Sequence, residues 1–103
     1  MIVYLPGAMR DLRGIALWYR SKRPEGEARF FERLRATIRR VEQEPLGFPH
    51  ALADLDVRKA RVLRSPYSVA YVVKGSEVRI VAVIHGARHP AFWSRRSIEE
   101  PNE

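Results

Sequence analysis

Apolar positions in the first half of the chain repeat with the spacing of two amphipathic helices. A short β-type run, residues 2–5, precedes Pro6, which suits the first turn of a helix because its missing N–H costs nothing there. The first apolar stripe comprises Ala8, Met9, Leu12, Ile15, Ala16 and Tyr19. The second comprises Phe30, Phe31, Leu34, Ile38 and Val41. Pro24 and Pro45 end the two helices, so the pattern predicts an antiparallel helical hairpin.

The second half carries three β-type runs instead, at residues 58–64, 67–73 and 77–85. Ser65-Pro66 and Lys74-Gly75-Ser76 separate these runs. Connections this short reverse the chain, which predicts an antiparallel meander. We expect residues 45–57 to be irregular. The predicted order is β-α-α-β-β-β, an α+β fold in which the helical hairpin packs on an antiparallel sheet and the other sheet face stays open to solvent or a ligand.

Alternation along the last strand assigns its side chains to the two faces of the sheet. The expected core face carries Val78, Ile80, Ala82 and Ile84. The other face carries Glu77, Arg79, Val81, Val83 and His85, so Arg79 and His85 should point the same way. We expect the second helix to bury Ile80 and Ala82 with its residues Leu34 and Ile38. In the first strand of the meander, residues 58–64, the pattern leaves open whether Lys59 and Arg61 or Arg58 and Arg64 face the helices.

Length and composition indicate one small domain with an anionic partner. The 103 residues suffice for a single domain, expected over residues 1–97, followed by a flexible acidic tail at 98–103. No cysteine is present, and no apolar run approaches the roughly 20 residues of a membrane helix. The first residues lack the basic start of a signal peptide, so we expect a cytoplasmic location and no membrane contact. The net charge of +7 favours a nucleic acid or an acidic protein as partner.

Candidate catalytic groups are sparse. His85 and His89 have the spacing of helical metal ligands, but Gly86 and Pro90 argue against a helix there, so neither a metal nor a cofactor is expected. The sequence shows no Ser-His-Asp pattern and no Gly-rich phosphate loop. One scheme stays open, in which arginines stabilise a phosphorane-like transition state while His85 moves protons to cleave RNA. The sequence favours the simpler interpretation that His85 hydrogen-bonds the backbone at the end of the strand.

Several short motifs are distributed over the first helix and the meander. They are Ala8, Asp11-Leu12, Ile15 and Tyr19 in the first helix, and Arg61-Val62-Leu63, Pro66-Tyr67-Ser68-Val69-Ala70-Tyr71 and residues 78–82 in the meander. A more specific motif follows, His85-Gly86-x-Arg88-x-Pro90-x-x-Trp93-x-x-Arg96. Together these motifs resemble the toxins of the RelE/ParE superfamily, most of all the ParE branch. The resemblance covers residues 2–96 and implies the toxin of a type II toxin–antitoxin system, as in plasmid stabilisation proteins.

The resemblance to the ParE branch implies growth arrest by inhibition of DNA gyrase, and neutralisation by a cognate acidic antitoxin in a higher-order complex. The resemblance to this branch implies a toxin that acts by binding its target, so enzyme activity is expected only under the ribonuclease alternative below. Because arginine and aromatic residues dominate interface energies, the expected target contacts are Arg88, Trp93, Arg95 and Arg96. For Trp93 and its neighbour Phe92, the sequence favours a second interpretation, packing over the open end of the sheet.

Two alternatives come from different functional classes. The RelE branch implies a ribosome-dependent mRNA endoribonuclease whose partners are the ribosome and mRNA, and several of its members use sheet-borne Lys or Arg with a C-terminal His-Tyr or Tyr. The last tyrosine here is Tyr71, inside the meander, so no catalytic residue is assigned. Under this alternative the candidates are Arg61, Arg79 and His85. The third possibility is a non-toxic homologue that binds only its antitoxin.

Overall fold

The helical hairpin forms as the apolar spacing predicts. The computed structural model describes residues 1–86 and 93–96. Helix α1 spans Pro6–Lys22, with Pro6 in its first turn, and α2 spans Glu27–Gln43. A short 3-10 turn, Pro24–Gly26, joins the helices, because Pro24 cannot continue α1. Tyr19 stacks on Phe30 across the hairpin, with ring centroids 5.5 Å apart.

Five strands form one sheet beneath the helices. They are β1 (Ile2–Tyr4), β2 (His50–Leu52), β3 (Val57–Arg61), β4 (Tyr67–Lys74) and β5 (Glu77–His85). Their order across the sheet is β1-β5-β4-β3-β2. The α+β fold and the antiparallel meander of β3, β4 and β5 are confirmed.

Two details of the sheet differ from the prediction. β1 lies parallel to β5, so the sheet is mixed rather than antiparallel. The two strands are far apart in sequence, and no local pattern determines the direction in which they pair. In addition, β2 lies within residues 45–57, which were wrongly expected to be irregular throughout, and it pairs with β3. Three residues are too few for alternation to signal a strand.

β5 contains one residue more than its partner strand at the centre of the sheet. Ala70 pairs with Ala82, but the next residue of β4, Tyr71, pairs with Ile80. Val81 is therefore the extra residue of a β-bulge. A bulge shifts the alternation of side chains beyond it by one position, which moves every later residue to the opposite face.

The bulge overturns the predicted facing of the second half of β5. The helix face carries Val78, Ile80 and Val83. The face turned away from the helices, called here the far face, carries Val81, Ala82 and Ile84. The assignment of Ala82 and Ile84 to the same face as Ile80 was wrong. Arg79 precedes the bulge and His85 follows it, so these two side chains lie on opposite faces, contrary to the prediction.

The molecule has a core on each side of the sheet. On the helix face, Leu34, Ile38 and Ile80 are buried together as predicted. The far face was expected to be open, yet it carries a second buried cluster, which comprises Leu5, Val57, Ala70, Val72, Val81, Ala82, Ile84 and Trp93. The predicted tail, residues 98–103, lies outside the described residues.

Hydrogen bonds from side chains of the sheet hold the loop between α2 and β2 in place. The hydroxyl of Tyr71 donates a hydrogen bond of 2.6 Å to the carbonyl of Pro45. Arg58, on the helix face of β3, donates a second of 2.7 Å to the carbonyl of Phe48. Burial raises the pKa of the Tyr71 phenol, and the nearby charge of Arg58 offsets part of that rise.

Candidate functional site

The end of β5 lacks a neighbouring strand on one side. β1 pairs only with residues 78–80, so no strand among the described residues covers this edge of residues 81–85. Side chains take the place of a strand. Asp11 of α1 accepts a hydrogen bond from the backbone N–H of Val83 at 2.9 Å, and Arg96 donates to the carbonyl of Val81 at 3.3 Å. These contacts satisfy backbone groups that would otherwise be buried without partners.

Arg96 and Asp11 also bind each other through both prongs of the guanidinium. Nη1 lies 2.7 Å from Oδ2 and Nη2 lies 3.0 Å from Oδ1. The two side chains are only 22% and 16% exposed, so solvent screens the pair weakly. The Arg96 side chain passes so close to Gly7 that a Cβ added to Gly7 would lie 2.9 Å from the Cδ of Arg96. Arg96 is therefore a structural element that ties residues 93–96 to α1.

Trp93 is the second anchor of the C-terminal segment. Its side chain is 2% exposed and packs in the far-face cluster against residues such as Ile84. The indole Nε1 finds no hydrogen-bond acceptor within residues 1–86 and 93–96. Because a buried N–H without an acceptor destabilises the fold, burial of the ring must outweigh that cost. The packing interpretation of Trp93 is confirmed.

The predicted target contacts therefore differ in what they offer a partner. Arg95 is exposed, whereas Trp93 and Arg96 are engaged inside the fold. Arg88 lies outside the described residues. Contact of these four residues with a target stays a prediction, and for Trp93 it requires residues 93–96 to move away from the sheet.

The three candidate ribonuclease residues do not form one centre. Arg61 lies on the far face of β3 and donates to the carbonyl of Ser65 at 3.1 Å. Arg79, on the far face of β5, donates to the Glu77 carboxylate at 2.9 Å and is 11% exposed. Their strand positions place the Cα atoms of the two arginines on the order of 16 Å apart. His85 follows the bulge and packs against Tyr67, with ring centroids 5.5 Å apart.

Two of the three residues nevertheless share one open cleft at the strand ends. Arg61 and His85 line this cleft together with Lys59 and Ser68. Lys59 was not among the predicted site residues. The signal for it was present in the sequence, because alternation along β3 places Lys59 and Arg61 on the same face. The cleft presents positive charge beside an imidazole, an arrangement that suits an anion.

α1 presents a second surface to solvent, and that surface is apolar. Leu17 is 63% exposed and Trp18 is 47% exposed. Trp18 lines a cleft with Tyr67 and His85, beyond the end of the helix-face core. Large side chains left in water next to a cleft are typical of a surface that another molecule covers.

The described residues offer neither a metal site nor a membrane span. No group of three or more metal-binding side chains occurs in this part of the chain. No helix among the described residues combines the length and apolar character needed to cross a bilayer.

Comparison with known proteins yields two similarities. The chain matches the family model described as the ParE toxin of the type II toxin–antitoxin system parDE over residues 2–90. Its fold is similar to a chain of the solved structure "Chromosomal ParDE TA system from P. aeruginosa", with a TM-score of 0.71 and 22% sequence identity, over 82% of this chain and 92% of that one. No curated protein matches the chain. At this identity the structural similarity establishes the fold alone, whereas the family match covers most of the sequence.

Proposed function

This chain belongs to the ParE toxin family of type II toxin–antitoxin systems, and on that premise we propose that it arrests growth by binding DNA gyrase until a cognate antitoxin neutralises it. The observation that carries the proposal is the family match over residues 2–90, which includes both helices and all five strands. The same match supports an antitoxin as a partner in a higher-order complex. The toxin would act by occupying its target rather than by turning over a substrate.

The geometry at the end of β5 supports action through a binding surface. Trp93 and Arg96 anchor residues 93–96, so Arg95 between them is exposed on a backbone that is already ordered. A side chain presented in this way loses less conformational freedom on binding than one on a mobile segment. The separation of Arg79 from Arg61 and His85 matters little to a binding surface, because no proton has to pass among them.

Inhibition of gyrase supercoiling by the purified protein tests this proposal. We expect Arg95→Glu to weaken inhibition by about tenfold or more, because reversing a central charge leaves the partner group unpaired. Lys74→Glu is the matched control, since Lys74 is also exposed but is the last residue of β4, next to the opposite end of β5. Equal losses of gyrase inhibition in both variants would show that net charge alone causes the effect. If the parent protein leaves gyrase unaffected, the gyrase target is wrong.

The exposed apolar side chains of α1 and the charge of +7 support an acidic, amphipathic antitoxin segment. Such a segment is disordered alone and folds as its apolar face covers the toxin surface. Electrostatic steering should make association fast and sensitive to salt. Stopped-flow rates that stay constant between low and high salt would contradict this part of the proposal.

A second candidate function, ribosome-dependent mRNA cleavage, is favoured by one observation, the cleft that Lys59 and Arg61 share with His85. In this case His85→Ala or Arg61→Ala should lower cleavage by roughly 100-fold, the contribution typical of a lost proton-transfer or charge-stabilising group. Cleavage of mRNA on ribosomes by the parent, with gyrase unaffected, would replace the first proposal. Overexpression that harms neither process would leave a non-toxic, antitoxin-binding homologue.

A further inference from the structure

Four arginines surround one cleft at the tip of the helical hairpin. This hairpin cleft lies between the start of α2 and the loop from β3 to β4, and its arginines are Arg23, Arg29, Arg33 and Arg64. Phe30 and Ser65, both buried, lie at its base. It shares Pro66 with the cleft of Lys59, Arg61 and His85 at the strand ends, but the two clefts have no charged residue in common.

The positive charge in the hairpin cleft exceeds the negative charge of the described carboxylates that line it. Within residues 1–86 and 93–96, Arg23, Arg29 and Arg64 form no ion pair. Glu27 lies close in sequence but binds Arg20, whose Nε is 3.0 and 3.1 Å from its two oxygens. Glu25 is the acidic residue that lines the cleft. Like charges gathered in this way repel one another, so an anion placed among them would stabilise the arrangement.

The loop that carries Arg64 is ordered before any ligand binds. Arg64 has a backbone φ of 58°, a left-handed conformation that is uncommon for residues other than glycine and often occurs at functional sites. Arg33 donates to the Arg64 carbonyl at 3.3 Å. Ser65 Oγ accepts from the backbone N–H of Tyr67 at 3.0 Å. A ligand therefore meets arginines on a backbone that is already fixed, which lowers the entropic cost of binding.

An aromatic cleft adjoins the arginines. Tyr19, Arg23 and Pro66 line both the hairpin cleft and the cleft that contains Trp18 and Tyr67. Trp18 is 47% exposed and meets Tyr19 edge to face, with ring centroids 5.1 Å apart. About half of the Trp18 side chain is thus open to solvent beside the positive charge. The surface combines guanidinium groups with an exposed aromatic ring. Proteins that bind single-stranded nucleic acids use such groups to contact the phosphates and to stack on the bases.

We propose that these adjoining clefts bind a single strand of nucleic acid, whose phosphates lie on the arginines of the hairpin cleft and one base of which stacks on Trp18. The planar guanidinium fork matches the oxygens of a phosphate. An acidic peptide would use the arginines alone, whereas a nucleic acid also uses the aromatic ring, and this difference favours the nucleic acid. The activity is independent of gyrase binding and does not rest on it.

Fluorescence anisotropy with the full chain and labelled 12-nucleotide strands of oligo-dT and oligo-U tests the proposal. We expect the logarithm of the affinity to fall with the logarithm of salt concentration, with a slope of about −0.7 for each phosphate neutralised. Arg29→Gln with Arg64→Asn should weaken binding at least tenfold and reduce that slope by about 1.4, because two phosphate contacts are lost. Asparagine is chosen because it tolerates the left-handed backbone of residue 64. Trp18→Ala should weaken binding by about tenfold through lost stacking.

A matched control separates the site from overall charge. Arg35 and Arg39 are exposed residues of the same helix that lie outside the hairpin cleft. Arg35→Gln with Arg39→Gln also removes two positive charges, and it should change binding by less than about twofold. Thermal melts verify that each variant is folded. If the double variant at 29 and 64 fails to fold, the exposed single change Arg29→Gln carries the test, with an expected loss of about threefold or more.

Each outcome bears on the proposal. Binding that weakens equally in the control and in the cleft variant overturns it, since any basic surface would then suffice. A duplex that binds as tightly as the single strands, with Trp18→Ala silent, also overturns it. A 12-residue polyglutamate that binds as tightly and loses binding in the same variants makes the cleft an acidic-peptide site instead. Binding of oligo-U but not oligo-dT, or the reverse, upholds the proposal and identifies the sugar.

Discussion

The two halves of β5 are stabilised in different ways. In the first half, residues 78–80 lie between β1 and β4, and Ile80 has Tyr4 as its partner on one side and Tyr71 on the other. The second half begins with the bulge at Val81, and among residues 1–86 and 93–96 it has a neighbouring strand on one side only. Its other edge depends on Asp11 and Arg96, which reach it from α1 and from residues 93–96.

The two halves show two sources of structural order, apolar burial within the sheet and polar contact with residues distant in sequence. The first half is stabilised by apolar packing on both sides of a regular ladder, which many residues share. The second half pairs with β4 and is buried as well, but its other edge depends on the ion pair of Asp11 and Arg96, and the indole of Trp93 packs in the same far-face cluster. The specific motif that begins at His85 lies at this second half, so the strongest functional signal in the sequence lies beside the edge where side chains take the place of a strand.

The loss of a buried isoleucine side chain should have the largest effect on stability, and Ile80 in the first half provides the test. Ile80 is completely buried, and Ile80→Ala should lower the free energy of unfolding by about 2–5 kcal/mol through lost burial and the cavity left behind. Ile80→Val removes a single methylene and should cost about 0.5–1.5 kcal/mol. Urea unfolding curves measure both variants. An alanine variant that unfolds at the same urea concentration as the parent contradicts the packing described for Ile80.

The ion pair of the second half should come next. Asp11→Ala and Arg96→Ala should each cost about 2–3 kcal/mol, because each leaves a charged partner with little solvent. The double variant should cost much less than the sum of the two, which a double-mutant cycle measures as coupling. Arg20→Ala provides the comparison, since the Arg20 side chain is 64% exposed and solvent screens its pair with Glu27, so its loss should be much smaller. Additive losses at Asp11 and Arg96 would show that the two residues act independently.

The same contrast explains how much of the fold was predictable from the sequence. The helices and the meander follow from apolar spacing and short turns, which are local signals, and Pro6 and Pro24 stand where the structure begins and ends α1. The parallel pairing of β1 with β5 has no local signal. The bulge at Val81 has none either, because residues 78–84 are almost all apolar and fit either face.

The candidate site was predictable in its residues but not in their arrangement. The motif from His85 to Arg96 was identified and the packing of Trp93 was predicted, yet nothing in the sequence revealed that Arg96 pairs with Asp11. Arg96 and Asp11 are 85 positions apart, and no periodic pattern encodes a contact over that distance. Lys59 was missed because alternation placed it beside Arg61 without indicating that His85 reaches the same cleft.

Alkaline pH should weaken the first half of β5 selectively. Burial raises the pKa of both Tyr4 and Tyr71, the partners of Ile80 on either side. A phenol whose pKa is higher in the folded state stabilises the fold fully while the pH is below the pKa of the unfolded state. That contribution is lost as the pH rises from about 10 through the pKa of the folded state. The melting temperature should therefore fall above pH 10. Tyr4→Phe should reduce the fall, since it removes one ionisation, and an unchanged pH profile in Tyr4→Phe and Tyr71→Phe would assign the fall to other groups.

The smallest effect should be that of His85→Ala, at the exposed end of the second half. The imidazole is exposed and contacts the edge of Tyr67, so its removal should cost about 1 kcal/mol or less. Its neighbour Ile84 is 7% exposed in the far-face cluster, and Ile84→Ala should cost about 2–5 kcal/mol at a position only one residue away. If the toxin acts as a binding surface, His85→Ala should also retain gyrase inhibition within about threefold, because no general acid or base is lost. Inhibition must be compared at equal concentrations of folded protein, measured by circular dichroism, since an unfolded variant is inactive for an unrelated reason. A folded His85→Ala variant that no longer inhibits gyrase would place the imidazole in the contact with the target, and the second half of β5 would then carry the functional group.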